Sequence, residues 1–290
     1  MDNRRKNLLF LALLIVLLPF AVLFSWPDNR FYFIACDVGQ GDAILLTKGF
    51  TQVLIDGGPD NKVLTCLSDN MPFWDKKIEL LVNTHPDKDH LAGLIEVVKR
   101  YQVEKILANS LVVDSQVFSK FHQQVWDKNI SVYSPQVQDK IKVGDLAFTV
   151  LWPENRVGNV SVWGNRLALA DNEDVLGDKT AEKTNINSIV LYLQVNDFTA
   201  LLTGDIDSKI EEKIIKNFNF SDLEVLKIAH HGSKYSSSEK FLQFLKPKIA
   251  VISVGKNPWG HPTQEVLDRL KSVGAKVLRT DIESNIKLSY

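Results

Sequence analysis

Two cysteines in 290 residues cannot build a disulfide scaffold. Neither sign of charge is in excess: 34 Lys and Arg stand against 35 Asp and Glu, a formal net charge of −1. That balance excludes a strongly basic nucleic-acid arm and an acidic solvating tail. No low-complexity tract and no repeat of fixed period runs through the chain. Hydrophobic residues at 45% and charged residues at 24% exclude wholesale disorder. The length suits one large domain or two small ones, with enough chain for a sizeable core. Histidine is also scarce, six in all, and the placement of those six is the most informative feature.

What is present is unevenly spread. Leu8 to Trp26 reads LLFLALLIVLLPFAVLFSW, in which only Pro19 and Ser25 of 19 positions are not apolar. At roughly 1.5 Å per residue such a helix would span about 28 Å, close to a bilayer core. Arg4, Arg5 and Lys6 precede it, and a positive flank favours the cytoplasmic side. A cleaved signal would carry a shorter apolar stretch, roughly 7–15 residues, and a small-residue cleavage site. Ser25-Trp26-Pro27-Asp28 offers no such site. A buried core helix would show a wet face, and nothing polar interrupts the run to give one. Residues 1–28 are therefore expected to be a cytoplasmic flank and single-pass membrane anchor. Residues 29–290 would form an extracytoplasmic domain, secreted if the segment is cleaved. Without residues 1–26 the chain holds 31 basic and 34 acidic side chains, so the body is near −3. Cys36 and Cys66 are read as buried free thiols, although that compartment would permit a bridge.

The body alternates short apolar strands with segments of helical period. Phe31–Cys36, Ala43–Thr47, Gln52–Ile55 and Ile78–Asn83 read as strands, then a helix from about His90 to Tyr101. Strands at Phe148–Leu151, Ser188–Gln194 and Thr199–Leu202 precede a helix near Ser208–Asn217. The last stretch gives strand Val225–Ala229, helix Ser238–Phe244, strand Ile249–Val254, helix Gln264–Val273 and strand Lys276–Arg279. An α/β fold with helix-covered sheets follows. Residues 157–184, polar and rich in Gly and Asn, read as an insertion loop bordering a site.

Five of the six histidines sit at strand ends beside carboxylates or glycine. Thr84-His85-Pro86-Asp87-Lys88-Asp89-His90 follows an apolar strand and opens a helix. Asp89 alone would suit an N-cap, but capping does not call for two imidazoles as well, so the segment points to metal. Leu201-Leu202-Thr203-Gly204-Asp205 delivers a carboxylate at a strand end, a placement also common in plain turns. Ile228-Ala229-His230-His231-Gly232-Ser233 ends another strand in paired histidines; alone it would read as one packed and one exposed imidazole. Gly260-His261-Pro262 follows strand Ile249–Val254. His122, between Phe121 and Val125 on a helical stretch, is assigned to packing. Sites in α/β sheets gather at the carboxyl ends of strands, and these groups share that edge. Together they form a set large enough for two metal ions, with Asp205 able to bridge.

The order of these pieces resembles the metallo-β-lactamase superfamily. HxxxDH, then a strand-ending Thr203-Gly204-Asp205, then a downstream His is that pattern. Asp37-Val38-Gly39-Gln40-Gly41-Asp42, Leu54-Ile55-Asp56-Gly57-Gly58, Asn187-Ser188-Ile189-Val190-Leu191 and His230-His231-Gly232-Ser233 extend it. With them the stretch from about residue 31 to 290 is similar to the C-terminal hydrolase domain of ComEC-type DNA-uptake proteins. The resemblance implies a four-layer αβ/βα sandwich with two divalent metal ions at one edge. It implies that His85 and Asp87 hold one ion, that Asp89, His90 and His230 hold the other, and that Asp205 bridges. Asp56 would orient a ligand imidazole from behind. Asp89, His231 and His261 would be the catalytic residues, the two imidazoles facing substrate; the choice of His230 over His231 as ligand rests on neither spacing nor composition.

Two departures from the common pattern bear on the metal. Asp87 stands where the superfamily's HxHxDH has its second His, and Thr184-Asn185-Ile186-Asn187-Ser188 lacks the further His that normally precedes the Asp205 strand. Oxygen-rich sites shift preference from zinc toward manganese or magnesium, so Mn²⁺ is expected to compete with Zn²⁺. Two such ions would bring bound water to a pKa of roughly 7 and supply a nucleophile near neutral pH. The resemblance implies phosphodiester hydrolysis with DNA as substrate, in a competence-like setting. A small-ester hydrolase of the phosphorylcholine esterase or lactonase kind is the rival, favoured by the acidic body. Lys227, Lys234, Lys240, Lys246 and Lys248 read as a solvated face rather than a phosphate track. A third alternative is a non-catalytic DNA-uptake accessory module. One apolar span cannot form a multi-helix channel.

Overall fold

The computed structural model describes residues 3–156, 175–176, 184–220 and 222–290. Apolar strands separated by Gly and Asp turns fold into two seven-stranded sheets. In the first, β1 (Phe31–Ala35), β2 (Ile44–Lys48) and β3 (Thr51–Ile55) run as an antiparallel meander. β3 then pairs in parallel with β4 (Lys77–Asn83), β4 with β5 (Gln102–Ala108), and β5 with β7 (Ser131–Tyr133). A short β6 (Val112–Val113) pairs in parallel with β10 (Val175–Leu176). The second sheet repeats the plan. β8 (Lys140–Val143), β9 (Leu146–Trp152), β11 (Val190–Val195) and β12 (Phe198–Leu202) are antiparallel neighbours. β12, β13 (Val225–Lys227), β14 (Ile249–Ile252) and β15 (Lys276–Arg279) are parallel. The C-terminal β16 (Ile286–Ser289) returns to the edge of the first sheet beside β1.

The layers follow from which face each strand buries. Phe33, Leu46 and Val53 of the first sheet meet Phe148, Leu191 and Leu202 of the second in one core between the sheets. Outside the first sheet, α2 (Lys62–Asn70), α3 (Lys88–Arg100) and α4 (Gln116–Asp127) bury their apolar stripes. Outside the second lie α5 (Ser208–Asn217), α6 (Glu239–Leu245) and α7 (Gln264–Ser272); a single turn, α8 (Thr280–Glu283), closes the chain before β16. This is the four-layer αβ/βα sandwich. Each sheet joins an antiparallel half to a parallel half, and the parallel strands end at the same edge. Strand Val225–Ala229 of the sequence reading stops at Lys227, because His230 and His231 turn with positive φ of 51° and 54°.

Two sequence expectations change, and the N-terminal segment is described in part. Cys36 and Cys66 are bonded to each other, with Cα atoms 5.8 Å apart, not free thiols. Both sit in the layer between the first sheet and its helices, where the end of β1 faces α2. Lys227 is not on a solvated face: it is 1% exposed inside β13. Finally, the N-terminal segment is helical over Asn3–Phe24 (α1), with Leu8, Leu9, Phe10, Leu13 and Ile15 exposed. Among the described residues no helix is long and apolar enough to cross a membrane. The helix takes Arg4, Arg5 and Lys6 into its first turns, and the side chains of residues 14, 16, 18–21 and 24 lie outside the description. Of the insertion loop, residues 157–174 and 177–183 also lie outside it.

Candidate metal centre

Four parallel strands deliver the centre's side chains. Asp56 ends β3 in a left-handed conformation (φ 58°), one that residues with a Cβ rarely adopt. There it accepts from the Thr84 backbone N–H (2.8 Å), the Thr84 hydroxyl (2.6 Å) and the His90 Nδ1–H (2.8 Å). Both Asp56 and His90 are buried, so Asp56 fixes the His90 ring and turns Nε2 outward toward Asp205 Oδ2, 3.4 Å away. Thr84 Oγ1, its proton given to Asp56, accepts from His85 Nδ1 at 3.0 Å and leaves His85 Nε2 facing the centre. The His85 and His90 rings stand 4.0 Å apart.

From the second sheet, Asp205 follows β12. Its backbone N–H donates to Ser188 Oγ (3.1 Å), and the His230 N–H donates to its Oδ1 (3.2 Å). Ser188 lies in the segment without the additional histidine and also approaches His85 Nδ1 (3.4 Å). His231, beyond β13, donates Nδ1–H to the Ser253 carbonyl at 2.8 Å. Its Nε2 is thereby aimed at Asp89 Oδ2 (3.3 Å) and Asp205 Oδ2 (3.6 Å). His85 Nε2 and Asp87 Oδ2 are 3.8 Å apart, and Thr184 donates to Asp87 Oδ1 at 2.7 Å.

The centre thus gathers His85, Asp87, Asp89, His90 and Asp205 as the sequence pattern indicates. The two neighbouring histidines behave differently. His231, not His230, joins Asp89 and His90 in a group whose donor atoms lie within 4.8 Å of one another; His85, His90 and Asp205 form the adjoining group. His230 lines the open side, its ring 5.7 Å from that of His261. Asp42, Asp56 and His90 form a third close group, but its carboxylates are already engaged: Asp56 as above, and Asp42 Oδ2 by the Lys227 ammonium at 2.5 Å.

Asp42 and Lys227 are the residues that sequence reasoning missed. Lys227 Nζ also donates to the Ile228 carbonyl (2.8 Å), and Asp42 Oδ1 lies 3.4 Å from His231 Nδ1. The pair ties the turn after β1 to β13 across the two sheets. One signal was available: a lysine in the otherwise apolar run Val225–Ala229. Gly41 admits the same turn, because a Cβ there would lie 2.2 Å from the Asp89 carbonyl oxygen.

The electrostatics follow from crowding charge in a dry place. Burial opposes a charge on His231, but Asp205, Asp42 and Asp89 outweigh it and raise its pKa to about 10. His90 is likewise opposed by burial and held well above 6.5 by Asp205 and Asp56. Asp89 and Asp205 resist burial and stay low through these same imidazoles. Burial, with His90 adding repulsion, drives His85 down to about 3. Burial lifts Asp87 to about 6. Burial, with His230 and His231 adding repulsion, lowers His261 to about 4. The His90 and His231 Nε2 atoms are buried with no hydrogen-bond partner. Orphaned imidazole nitrogens converging on the Asp89 and Asp205 carboxylates are a donor set that fits divalent cations. A cavity of about 720 Å³ opens onto the centre, lined by Asp89, Asp205, His230, Lys209, Tyr235 and Trp259.

Residues 36–256 match the model of the metallo-beta-lactamase superfamily. The chain is 31% identical over 279 residues to ComE operon protein 3 of Bacillus subtilis, covering 88% of this chain and 32% of that protein. It is 26% identical over 302 residues to recombination protein 2 of Haemophilus influenzae, covering 100% of this chain and 33% of that protein. The chain therefore spans about a third of the length of these relatives. Among solved structures, the metallo-beta-lactamase fold protein YhfI from Bacillus subtilis superposes with a TM-score of 0.56 at 12% identity, over 89% of this chain and 99% of that one. CmlA, a diiron beta-hydroxylase from Streptomyces venezuelae, superposes with a TM-score of 0.52 at 12% identity, over 91% of this chain and 55% of that one. These two share the fold. The matched model covers most of the chain, the sheet edge carries the superfamily's His and Asp pattern, and the chain belongs to the metallo-β-lactamase superfamily, with homologues among ComEC-type competence proteins.

Proposed function

We propose that the chain is a metal-dependent phosphodiesterase that cleaves DNA. The observation that carries the reading is the convergence of the unpartnered His90 and His231 Nε2 atoms on Asp89 and Asp205 beneath an open cavity. In this reading His85, Asp87, Asp89, His90, Asp205 and His231 would hold the divalent ions. The chemistry supplied when the ions are bound is a nucleophilic water and neutralisation of charge developing at phosphorus. Three carboxylates among six ligands make Mn²⁺ a competitor of Zn²⁺. Asp56 orients His90, Ser253 orients His231, and Thr84 orients His85, so the ligands are set before metal arrives. His230 and His261, on the open side, face substrate and steady an anionic oxygen through their ring N–H groups. DNA is favoured over a small ester because the relatives include a ComE operon protein and a recombination protein.

The same reading places the domain outside the cytoplasm, attached to the membrane through the N-terminal helix. The Cys36–Cys66 bridge suits an oxidising compartment. Trp26, Phe50 and Trp74 form a cluster with ring centroids 5.2–5.8 Å apart at the end of α1. Trp74 Nε1 donates to Ser25 Oγ at 2.9 Å; such aromatic groups favour a membrane–water interface. The test of activity is cleavage of plasmid and single-stranded DNA by the purified chain with Mn²⁺ or Zn²⁺, against Asp205→Ala and a lactone panel. DNA left intact under both metals refutes the nuclease reading, and lactone turnover instead would establish the small-ester alternative.

A further inference from the structure

Two large aromatic side chains stand at the mouth of the cavity with no place in any core. Trp259 is 64% exposed and Tyr235 is 69% exposed, and both line the cavity that opens onto the metal centre. Exposed aromatics commonly lie on loose loop tips; these two do not. Asn257 buckles the loop that carries Trp259: its Oδ1 accepts from the Trp259 N–H (3.1 Å) and the His261 N–H (3.0 Å), and its Nδ2 donates to the Gly255 and His261 carbonyls (2.9 and 2.8 Å). The Tyr235 loop is held by Arg269, whose Nη1 donates to the carbonyls of Lys234, Ser236 and Ser237 at 3.3–3.4 Å. The Ser208 N–H also donates to the Tyr235 carbonyl at 3.0 Å. Backbone is fixed at both places while the rings stay in solvent, which costs apolar hydration without any compensating packing inside the chain.

The rings are continuous with the centre. Trp259 lies 6.2 Å from the His261 ring at an interplanar angle of 30°, and His261 lies 5.7 Å from His230, whose backbone N–H binds Asp205. Lys209 lines the same cavity and is exposed, and the Lys234 ammonium sits 5.3 Å from the Tyr235 ring centroid. Flat apolar faces, rim cations and a metal centre between them complement a chain of planar bases joined by anionic phosphates. Bases in a duplex are already stacked on each other and cannot lie against a protein ring.

We propose that Trp259 and Tyr235 are positioning residues that stack bases of a single-stranded oligonucleotide and so seat one of its phosphodiesters at the metal centre. The inference deepens the nuclease reading and rests on it for the identity of the reacting bond. Alanine in place of an aromatic stacking partner weakens binding by roughly 5- to 150-fold per base. The full chain is assayed for cleavage with Mn²⁺ and, by fluorescence anisotropy, for binding. The probes are a 12-nucleotide oligothymidylate, the same strand made abasic throughout, and a duplex of the same length. Trp259→Ala and Tyr235→Ala should each raise KM and Kd for the oligothymidylate by that factor, with kcat changed far less. Trp259→Phe should recover most of the loss. The abasic strand should bind the unaltered chain more weakly and be nearly indifferent to the alanine variants. Equal losses on normal and abasic strands would overturn the inference, as would duplex bound as well as single strand. Cleavage of DNA that the ring variants leave unchanged refutes the stacking while the nuclease reading stands. Ring-dependent binding without cleavage refutes the nuclease while the stacking stands. Neither binding nor cleavage overturns both.

Discussion

Opening the Cys36–Cys66 bridge is the perturbation whose size the structure fixes most directly. The bond closes a sequence separation of 30 residues that contains β2, β3 and the turn bearing Asp42. Freed in the unfolded chain, a loop of that length gains conformational entropy equivalent to about 3.7 kcal/mol at 25 °C. The 5.8 Å Cα separation lies in the ordinary range for a bridge, so little native strain is released to offset that loss. Each 1 kcal/mol moves the midpoint of a domain of this size by roughly 2–4 °C, giving a fall of about 7–15 °C. Cys36→Ala/Cys66→Ala should lose somewhat more than reduction alone, since both sulfurs are buried and each vacated site adds roughly 1 kcal/mol. Thermal and urea unfolding are followed with and without reductant, with thiol titration to show that the bond has opened. Reductant should destabilise the unaltered chain and do nothing to the double variant. A fully reduced chain whose midpoint stays within 2 °C refutes the loop argument.

His231→Ala should leave the protein short of about one divalent ion by elemental analysis, while His230→Ala keeps its metal and loses turnover; the converse result reverses the ligand assignment. Metal binding near pH 7 should release protons, read by calorimetry in buffers of different ionisation enthalpy, because His231 holds its proton up to about pH 10 without metal. The sign for the metal-free protein is fixed by the same shift: stabilisation from His231 is full below about pH 6.5 and is lost as pH rises toward 10. Metal affinity should climb through that window, and a flat profile contradicts the crowding argument. Lys227→Met should cost about 3–5 kcal/mol in urea unfolding by stranding a buried Asp42 carboxylate; adding Asp42→Asn should restore a large part of it.

The fold was legible because its strands are short apolar runs cut by Gly and Asp, and because each motif fell at a strand end. Helix Ser208–Asn217 and strand Lys276–Arg279 stand where periodicity puts them. Residues 102–108 were less legible: β5 reads QVEKILA, with charges on its exposed positions, and gives no clean apolar run. The His–Asp pattern marked the edge, and the resemblance supplied its roles. The rank of His230 against His231 was beyond sequence, since it depends on which ring nitrogen meets the Ser253 carbonyl 22 residues on. The bridge was equally hidden: nothing local to Cys36 or Cys66 says that β1 ends opposite α2.

Charge ties these observations together. The near-neutral chain conceals an edge where Asp42, Asp56 and Asp205 are buried and Asp87 and Asp89 half-buried; Lys227 answers Asp42, and Thr84 and His90 answer Asp56. Asp87 accepts from Thr184, while Asp89 and Asp205 face the imidazoles of His90 and His231, which hold their protons in the metal-free chain. Those protons sit on the two Nε2 atoms that have no hydrogen-bond acceptor in proper geometry. A divalent ion would replace a proton there with twice the charge, at imidazoles that Asp56 and the Ser253 carbonyl already orient. The absence of a basic track therefore does not argue against an anionic substrate. In the nuclease reading, bound metal would concentrate attraction for phosphate at the point of attack, leaving Lys209, Lys234 and the two aromatic faces to hold the rest of the strand.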